Sequence, residues 1–309
     1  MAAKIFIDGE AGTTGLGIHA RLKTEPSITL LSLSPGERKD LAAKKARMRE
    51  ADVVILCLPD EAARQSVALA DELGADAPRI LDASTAHRTA KGWIYGFPEL
   101  AAGQAEAIAQ ARRVANPGCY ATGAIALLRP LIDAGLMPSG HPLSIHAVSG
   151  YSGGGKTMIA DYESGKAPAY EAYGLTLEHK HVPEIMLYAK LTRRPVFAPS
   201  VGNFAQGMMV FVPLFLSDLP GKPKGADFLA ALAERYAESP LISVIPGDAC
   251  GSLEPEALNG TDRLELRVFA NDAKGQAILA ARLDNLGKGA SGAALQNLQL
   301  MLKRQLRAA

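Results

Sequence analysis

Apolar positions recur along this chain with two different habits, and the change between them falls where residue 119 is reached. In the first part, short continuous apolar runs alternate with helix-period stretches. Lys4-Ile5-Phe6-Ile7-Asp8 predicts a buried strand, and Gly9-Glu10-Ala11-Gly12-Thr13-Thr14-Gly15 leads from it into a helix that ends at Leu22. Residues 28–33 predict a second strand and residues 51–59 a third. Helices are expected over residues 61–73 and 101–111, and strands over 79–82 and 113–115. Val53-Val54-Ile55-Leu56-Cys57-Leu58 has no polar side, as expected of a strand covered on both faces, and it places Cys57 in the core. Strands alternating with helices predict an α/β unit with a parallel, doubly wound, Rossmann-type sheet.

A helix-period run then begins at Cys119, with Ala124, Ile125, Leu127, Leu128, Leu131 and Ile132 on its apolar side and Gly135 closing it. Beyond it strands dominate, over residues 143–149, 196–200, 208–216, 264–270 and 277–283, with helices over 183–191 and 226–237. Arg263-Leu264-Glu265-Leu266-Arg267-Val268 alternates cleanly, which predicts one wet face, and Asn271-Asp272-Ala273-Lys274-Gly275 reads as the turn to the next strand. The second unit is therefore expected to be an α+β domain with a largely antiparallel sheet. A last helix begins near Ala290 and sets Leu295, Leu298, Leu302 and Leu306 on one stripe. We expect it to return to the first unit. Residues 1–118 and 285–309 then form a dinucleotide-binding domain, and residues 119–284 a domain for catalysis, substrate and oligomerisation.

Composition narrows the class. The 309 residues suffice for two cores. A net charge of +1 leaves no basic field for nucleic acid or anionic lipid. Three cysteines, odd in number and far apart, form neither a disulfide framework nor a CxxC metal site. That usage fits a reducing compartment, and no signal-type segment precedes the first strand, so a cytoplasmic location is expected. The longest apolar run, residues 208–216, is too short to span a bilayer.

Four stretches carry candidate chemistry. Gly9, Gly12 and Gly15 follow the first strand at GxxGxxG spacing, where a tight turn, close approach of a pyrophosphate and helix-on-strand packing each favour glycine. After the second strand no acid stands at the tip to take a ribose 2′-hydroxyl. Ser34, Arg38 and Lys39 could hold a 2′-phosphate instead, which points to NADP. In Asn116-Pro117-Gly118-Cys119 the cysteine falls in the first turn of a helix, where free N–H groups and the positive dipole end favour thiolate over thiol. A thiolate there is a candidate nucleophile, and His179 and His181, just before a helix opening at Pro183, are candidate acid/base partners. Two histidines at i, i+2 without a third ligand make a poor zinc set, so no metal is expected. In doubly wound sheets ligands bind at the carboxyl ends of the strands. The glycine-rich turn, Ser84 to Arg88 and Cys119 each follow a strand and should share one rim.

Gly150-Tyr151-Ser152-Gly153-Gly154-Gly155-Lys156-Thr157 also satisfies the P-loop pattern. Gly165 and Pro168 leave room for barely two helical turns after it, and the surrounding strands read as antiparallel. A glycine-rich loop that meets phosphate on a substrate is the simpler reading.

Taken together, these stretches resemble the N-acetyl-gamma-glutamyl-phosphate reductase family of arginine biosynthesis, in its shorter form. That family stands with the aspartate-semialdehyde and glyceraldehyde-phosphate dehydrogenases. The resemblance runs through Gly12-Thr13-Thr14-Gly15, Tyr95-Gly96-Phe97-Pro98-Glu99-Leu100, Asn116-Pro117-Gly118-Cys119-Tyr120, Ser149 to Lys156, His179-Lys180-His181-Val182-Pro183-Glu184 and Asp284-Asn285-Leu286-Gly287-Lys288-Gly289-Ala290. It implies Cys119 as nucleophile, His181 as acid/base with His179 second, and a thioester reduced by NADPH. It further implies Gly9, Gly12, Thr13, Thr14, Gly15, Ser34, Arg38, Ser84 and Asn285 on the cofactor, and Arg88, Asn116, Ser149 and Lys156 on an acyl-phosphate substrate. Lys156 stands where longer relatives often carry arginine, which keeps the charge but loses the bidentate fork. The sheet-rich second unit with its apolar strands makes a homo-oligomer, a dimer or tetramer, the expectation. Three other readings stand beside it: an aspartyl- or aminoadipyl-phosphate reductase, a P-loop NTPase, and a non-catalytic NADP-sensing module. Cys250 has no derivable role.

Overall fold

In the computed structural model, residues 2–247 and 251–303 are described. Cys250 and Leu306 lie outside the described residues. The chain divides into two units. The first comprises Met1–Pro98, Gly103–Pro117 and Ala290–Ala309, and the second Glu99–Ala102 and Gly118–Gly289.

The first unit runs β1 (Ala3–Asp8), α1 (Thr13–Leu22), β2 (Ile28–Leu31), α2 (Leu41–Glu50), β3 (Val53–Leu56), α3 (Asp60–Asp71), β4 (Arg79–Asp82), β5 (Ile94–Tyr95), α4 (Gln104–Gln110) and β6 (Arg113–Ala115). Its six strands pair in the order β2-β1-β3-β4-β6-β5, all parallel. Alternate residues of β1 feed two cores. Ile5 and Ile7 pack with Ile18, Leu22, Val114 and Ile108, whereas Phe6 packs with Met48, Val54, Leu56 and Val67. That two-sided burial is why the strands read as unbroken apolar runs.

Strand β5 has no counterpart in the sequence expectation, and two helices of this unit also differ from it. Helix α2 was not expected, because Met48 is its one buried side chain and no apolar stripe announces it. It is started by Asp40, whose carboxylate accepts the N–H groups of Ala42 (2.8 Å) and Ala43 (3.2 Å). Helix α4 is shorter than residues 101–111, because Gly103 precedes it in the left-handed region (φ 78°).

The second unit runs α5 (Cys119–Asp133), β7 (Ser144–Gly150), α6 (Gly155–Glu163), β8 (Tyr170–Ala172), α7 (Val182–Tyr188), β9 (Val196–Gly202), β10 (Met208–Phe215), α8 (Gly225–Tyr236), β11 (Ile242–Pro246), β12 (Leu264–Asn271) and β13 (Gln276–Leu283). The seven strands follow the order β11-β12-β13-β10-β7-β9-β8. Most neighbours are antiparallel, but β7–β9 and β11–β12 are parallel. The expectation that the strands around the glycine-rich loop are antiparallel is thus half wrong, since β7 has one neighbour of each kind. The wet face expected of β12 is also corrected. Glu265 is 8% exposed and is held by Arg267 (2.7 Å) and Arg282 (2.9 Å), so the polar face of that strand is a paired charge cluster.

A π-type turn over Gly287–Ser291 leads into α9 (Gly292–Leu302). Leu295, Leu298 and Met301 of this helix join the core of Ile5, Ile7 and Ile18, so α9 packs into the first unit. Arg79 secures it there: its guanidinium donates to the carbonyl of Met301 and to those of Ala109 (2.9 Å) and Ala111 (2.6 Å).

Candidate active site

Gly118 is the N-cap of α5, extended at φ −76°, ψ 147°, and no side chain caps the helix. Cys119 is therefore its first residue, half-buried and in no disulfide. The rest of the helix is apolar and buried from Tyr120 through Leu128, so this amino end is fixed by the core behind it. The N–H of Gly118 donates to Glu184 Oε2 at 3.1 Å. Glu184 is 1% exposed, and its other oxygen lies 3.9 Å from His181 Nε2. A single carboxylate of α7 thus touches both the turn that presents Cys119 and the imidazole. Sequence reasoning gave Glu184 no role. Its only signal was the position three residues after His181, one helical turn along, where two side chains share a face.

His181 is buried, and its main-chain N–H donates to His179 Nδ1 at 3.2 Å. The two rings meet edge to face at 4.8 Å between centroids, and Tyr120 packs against both, at 6.0 Å and 5.8 Å. The Tyr120 hydroxyl donates to the Ser200 carbonyl at 2.9 Å, and burial pushes its pKa far up, so it stays neutral. The residue after Cys119, Tyr120, thus packs against both histidines, and Glu184 contacts both the N-cap before Cys119 and His181.

The turn after β13 forms a further wall. Asp284 is 1% exposed and accepts the N–H groups of Leu286 and Gly260, each at 2.8 Å, while its carbonyl takes Gly289 N–H at 3.0 Å. Lys288, also 1% exposed, reaches both oxygens of Glu99 at 2.9 and 3.1 Å. These anchors set Gly289 against the cysteine, where an added Cβ would come within 2.9 Å of Cys119 Cβ. Asn285, assigned to the cofactor by resemblance, has its amide engaged inside this unit: Oδ1 accepts Gly207 N–H (2.8 Å) and Nδ2 donates to Ser152 (2.9 Å). Ser149 is buried and its hydroxyl donates to the carbonyl of Gly150.

The glycine-rich loop does not cradle phosphate in P-loop fashion. A short 3-10 turn, Tyr151–Gly154, separates β7 from α6, and three successive N–H groups are already used: Gly150 to Gly207 (2.8 Å), Tyr151 to Phe204 (3.0 Å) and Ser152 to Ala205 (3.0 Å). Helix α6 does begin at the glycine–lysine step and runs nine residues, somewhat longer than expected. Lys156 sits exposed in its first turn.

In the first unit the turn after β1 fits a dinucleotide. Gly9 holds φ +93°, and a Cβ there would lie 2.3 Å from the Cys57 carbonyl oxygen; one on Gly15 would lie 2.4 Å from the Gly9 carbonyl. Only glycine admits this turn, which ends on Gly12 as the uncapped N-cap of α1. The N–H groups of Thr13, Thr14 and Gly15 open that helix toward an anion. Arg38 and Ser34 lie past the tip of β2. Arg38 pairs with Glu10 at 3.0 Å, and Ser34 donates to Glu37 at 2.6 Å.

At the carboxyl end of β4, buried Asp82 accepts from Ser84 Oγ (2.8 Å) and from Ser84 N–H (2.8 Å), and lies 2.6 Å from His87 Nδ1. His87 stacks on Trp93 at 4.2 Å. Arg88 is buried and donates to the Asn116 carbonyl at 3.1 Å. The Asn116 amide donates to Ala290 (3.1 Å) and accepts from Asn297 (3.0 Å). Ser84, Arg88 and Asn116 thus lie together on one rim of the first sheet, each tied to its neighbours. Among the described residues no group of three or more His, Cys, Asp or Glu is placed to hold a metal ion, and no helix is long and apolar enough to cross a membrane.

Comparison with known proteins agrees with both units. Residues 5–111 match the family model of the semialdehyde dehydrogenase NAD binding domain, and residues 119–285 match that of the semialdehyde dehydrogenase dimerisation domain. Over 98% of its length the chain is 56% identical to the N-acetyl-gamma-glutamyl-phosphate reductase of Chelativorans sp. (strain BNC1), covering 99% of that protein. It is 53% identical, with the same coverage, to the protein of that name from Brucella ovis. Among solved structures, aspartate semialdehyde dehydrogenase II of Vibrio cholerae superposes with a TM-score of 0.71 at 15% identity, over 98% of this chain and 99% of that one. The Candida albicans aspartate semialdehyde dehydrogenase, solved with NADP, gives 0.67 at 13% identity, over 98% and 99%. These last two speak for the fold alone; the full-length identities show that the chain belongs to the N-acetyl-gamma-glutamyl-phosphate reductase family of semialdehyde dehydrogenases.

Proposed function

We propose that the chain reduces N-acetyl-glutamyl 5-phosphate with NADPH to N-acetyl-glutamate 5-semialdehyde and phosphate, a step of arginine biosynthesis. The observation that carries this reading is the placement of Cys119. It opens a buried helix with no side-chain cap, and the carboxylate that holds its N-cap also contacts His181. The relatives' printed name supplies the substrate.

Cys119 Sγ, as thiolate, attacks the acyl carbon. The carbonyl collapses back with loss of phosphate, leaving a thioester. The helix dipole stabilises the attacking charge by roughly 0.3–1 kcal/mol, and more where partly buried. Bound NADPH supplies the hydride that reduces this thioester. His181 as imidazolium gives its proton to the oxygen of the resulting thiohemiacetal and takes it back as the C–S bond breaks, releasing the aldehyde and the Cys119 thiolate. His179 serves the same step by accepting the His181 main-chain N–H, which fixes where that ring stands. Lys156, exposed at the start of α6, and Arg88, oriented by the Asn116 carbonyl, are the cations we assign to the leaving phosphate. Ser149 and Asn116 complete the substrate's surroundings. Gly9, Gly12, Thr13, Thr14 and Gly15 take the pyrophosphate, Ser34 and Arg38 the 2′-phosphate, and Ser84 lines the cofactor's path along the rim; Asn285 supports the site through Ser152.

One face of the second unit's sheet leaves Val196, Phe215 and Ile278 exposed, at 53%, 59% and 44%. With the dimerisation-domain match, this supports a homodimer or tetramer formed through that face. That neither described cysteine, Cys57 nor Cys119, is disulfide-bonded supports a cytoplasmic location.

The test is the reverse reaction. NADP reduction should require both N-acetylglutamate semialdehyde and inorganic phosphate, and Cys119→Ser should keep NADPH binding while losing turnover. Turnover with aspartate semialdehyde in place of the acetylated substrate would transfer the mechanism to another acyl phosphate. Normal turnover by Cys119→Ser would overturn it.

A further inference from the structure

Three side chains past the end of β2, those of Ser32, Ser34 and Arg38, each already hold a carboxylate oxygen. Arg38 Nη2 lies 3.0 Å from Glu10 Oε1, and Ser32 Oγ donates to Glu10 Oε2 at 3.1 Å. Ser34 gives both its hydroxyl (2.6 Å) and its N–H (3.0 Å) to Glu37 Oε2. Ionised carboxylates accept only, as phosphate oxygens do, so the two compete for the same donors. Glu10 belongs to the glycine-rich turn itself. With Asp8, Gly9, Ala11, Leu33, Arg38 and others it lines a cavity of about 100 Å³ at the carboxyl end of β1. Hydrogen bonds from Ser34 hold the carboxyl of Glu37 below its ordinary value, so it is an anion at neutral pH.

We propose that Glu10 and Glu37 are internal anions standing on the 2′-phosphate ligands, and that Glu10 sets how far the enzyme discriminates between phosphorylated and unphosphorylated dinucleotides. The proposal rests on the reading that the first unit takes NADPH through Ser34 and Arg38.

The chemistry gives Glu10 opposite effects on the two cofactors. A phosphate monoester brings roughly −1.5 to −2 charges at neutral pH, against one for a carboxylate. It takes over Arg38, and Glu10, left beside it, must swing away against like-charge repulsion. An unphosphorylated ribose leaves Glu10 in place, and its carboxylate can accept the 2′-hydroxyl, the contact an acid at a strand tip makes in NAD sites. The pair is easily exchanged, since the Arg38 side chain is 44% exposed. Glu10 thus opposes NADPH and supports NADH, while Arg38 does the reverse, and the selectivity is their difference.

The test is calorimetric titration of adenosine 2′,5′-bisphosphate and of 5′-AMP into the full-length wild type, Glu10→Gln, Glu37→Gln and Arg38→Ala, with KM for NADPH and NADH measured beside it. Glu10→Gln should bind the bisphosphate roughly three- to tenfold tighter and 5′-AMP no tighter, with the NADPH-to-NADH KM ratio moving by the same factor. Glu37→Gln should shift in the same direction by less. Unchanged or weaker bisphosphate binding by Glu10→Gln, at unchanged Tm, would overturn the proposal while leaving the NADPH reading intact, provided that Arg38→Ala loses the bisphosphate preference. If the wild type shows no such preference and Arg38→Ala changes nothing, the underlying reading fails and the proposal with it.

Discussion

Gly118 and Glu184 are joined by a 3.1 Å hydrogen bond from a main-chain N–H at a helix N-cap to a carboxylate that is 1% exposed. The bond ties α7 to the turn before Cys119. It also fixes a carboxylate oxygen 3.9 Å from His181 Nε2, so the turn before Cys119 and the His181 ring are positioned by the same group.

Glu184→Gln keeps an acceptor for Gly118 but removes the charge beside His181. We expect kcat to fall by a large part of the roughly 10²–10⁴-fold that general acid–base catalysis contributes, with Tm little changed. Glu184→Ala also strands the buried Gly118 N–H, which costs about 1–3 kcal/mol of stability. Steady-state kinetics with urea unfolding of both variants separates the two effects. Equal kcat in wild type and Glu184→Gln would remove the carboxylate from the mechanism.

Asp133 gives a prediction in acid. Burial pushes its carboxyl up, but hydrogen bonds from Lys190 (2.7 Å), Arg129 (2.8 Å) and Arg235 (2.8 Å) outweigh that and hold its pKa at about 2, against 3.8 ordinarily. A depressed folded-state value means that the stabilisation is complete above the unfolded pKa. It is lost as pH falls from about 4 through about 2. Asp133→Asn should therefore be less stable than wild type at neutral pH, and the gap should close over that window. A pH series of thermal melts measures it, and a gap that stays constant down to pH 2 would contradict the assignment.

How much of this was legible in the sequence depends on how local each cause is. The Gly9–Gly15 turn and the helix start at Cys119 are set by neighbours within a few residues, and the sequence shows both. Helix α2 was missed because one capping aspartate and one buried methionine leave no periodic trace. The parallel pairing of β7 with β9 joins strands separated by two helices, and no local pattern records it. Glu265 reads as a solvated residue until Arg282, on the next strand, is brought to 2.9 Å. In the candidate site the residues proposed to react are proposed from local chemistry, whereas Glu184, Glu99 and Glu10 are charged residues whose partners lie 66, 189 and 28 positions away.

The Lys288–Glu99 pair is such a case. Both groups are nearly out of water, so removing one leaves a buried charge. Lys288→Met should destabilise the protein by about 3–5 kcal/mol, and Glu99→Gln added to it should recover part of that loss. Denaturant unfolding of the two singles and the double tests the coupling, and additive losses would show that the contact carries no coupling energy.

Gly289→Ala probes the wall beside Cys119 while leaving every candidate reacting side chain in the sequence. The new methyl would stand 2.9 Å from Cys119 Cβ and 3.1 Å from the Asp284 carbonyl oxygen, closer than such atoms rest. Either the Gly287–Ser291 turn or the first turn of α5 must shift, and a displacement of about 1 Å at a reacting atom can cost roughly 10²-fold in rate. We expect turnover to fall by about that factor, with NADPH affinity unchanged. Iodoacetamide labelling of Cys119 should change its rate in parallel, because the methyl acts at the thiol itself. Normal turnover together with normal labelling would mean that the turn yields freely, and that Lys288 and Asp284 do not hold Gly289 in place.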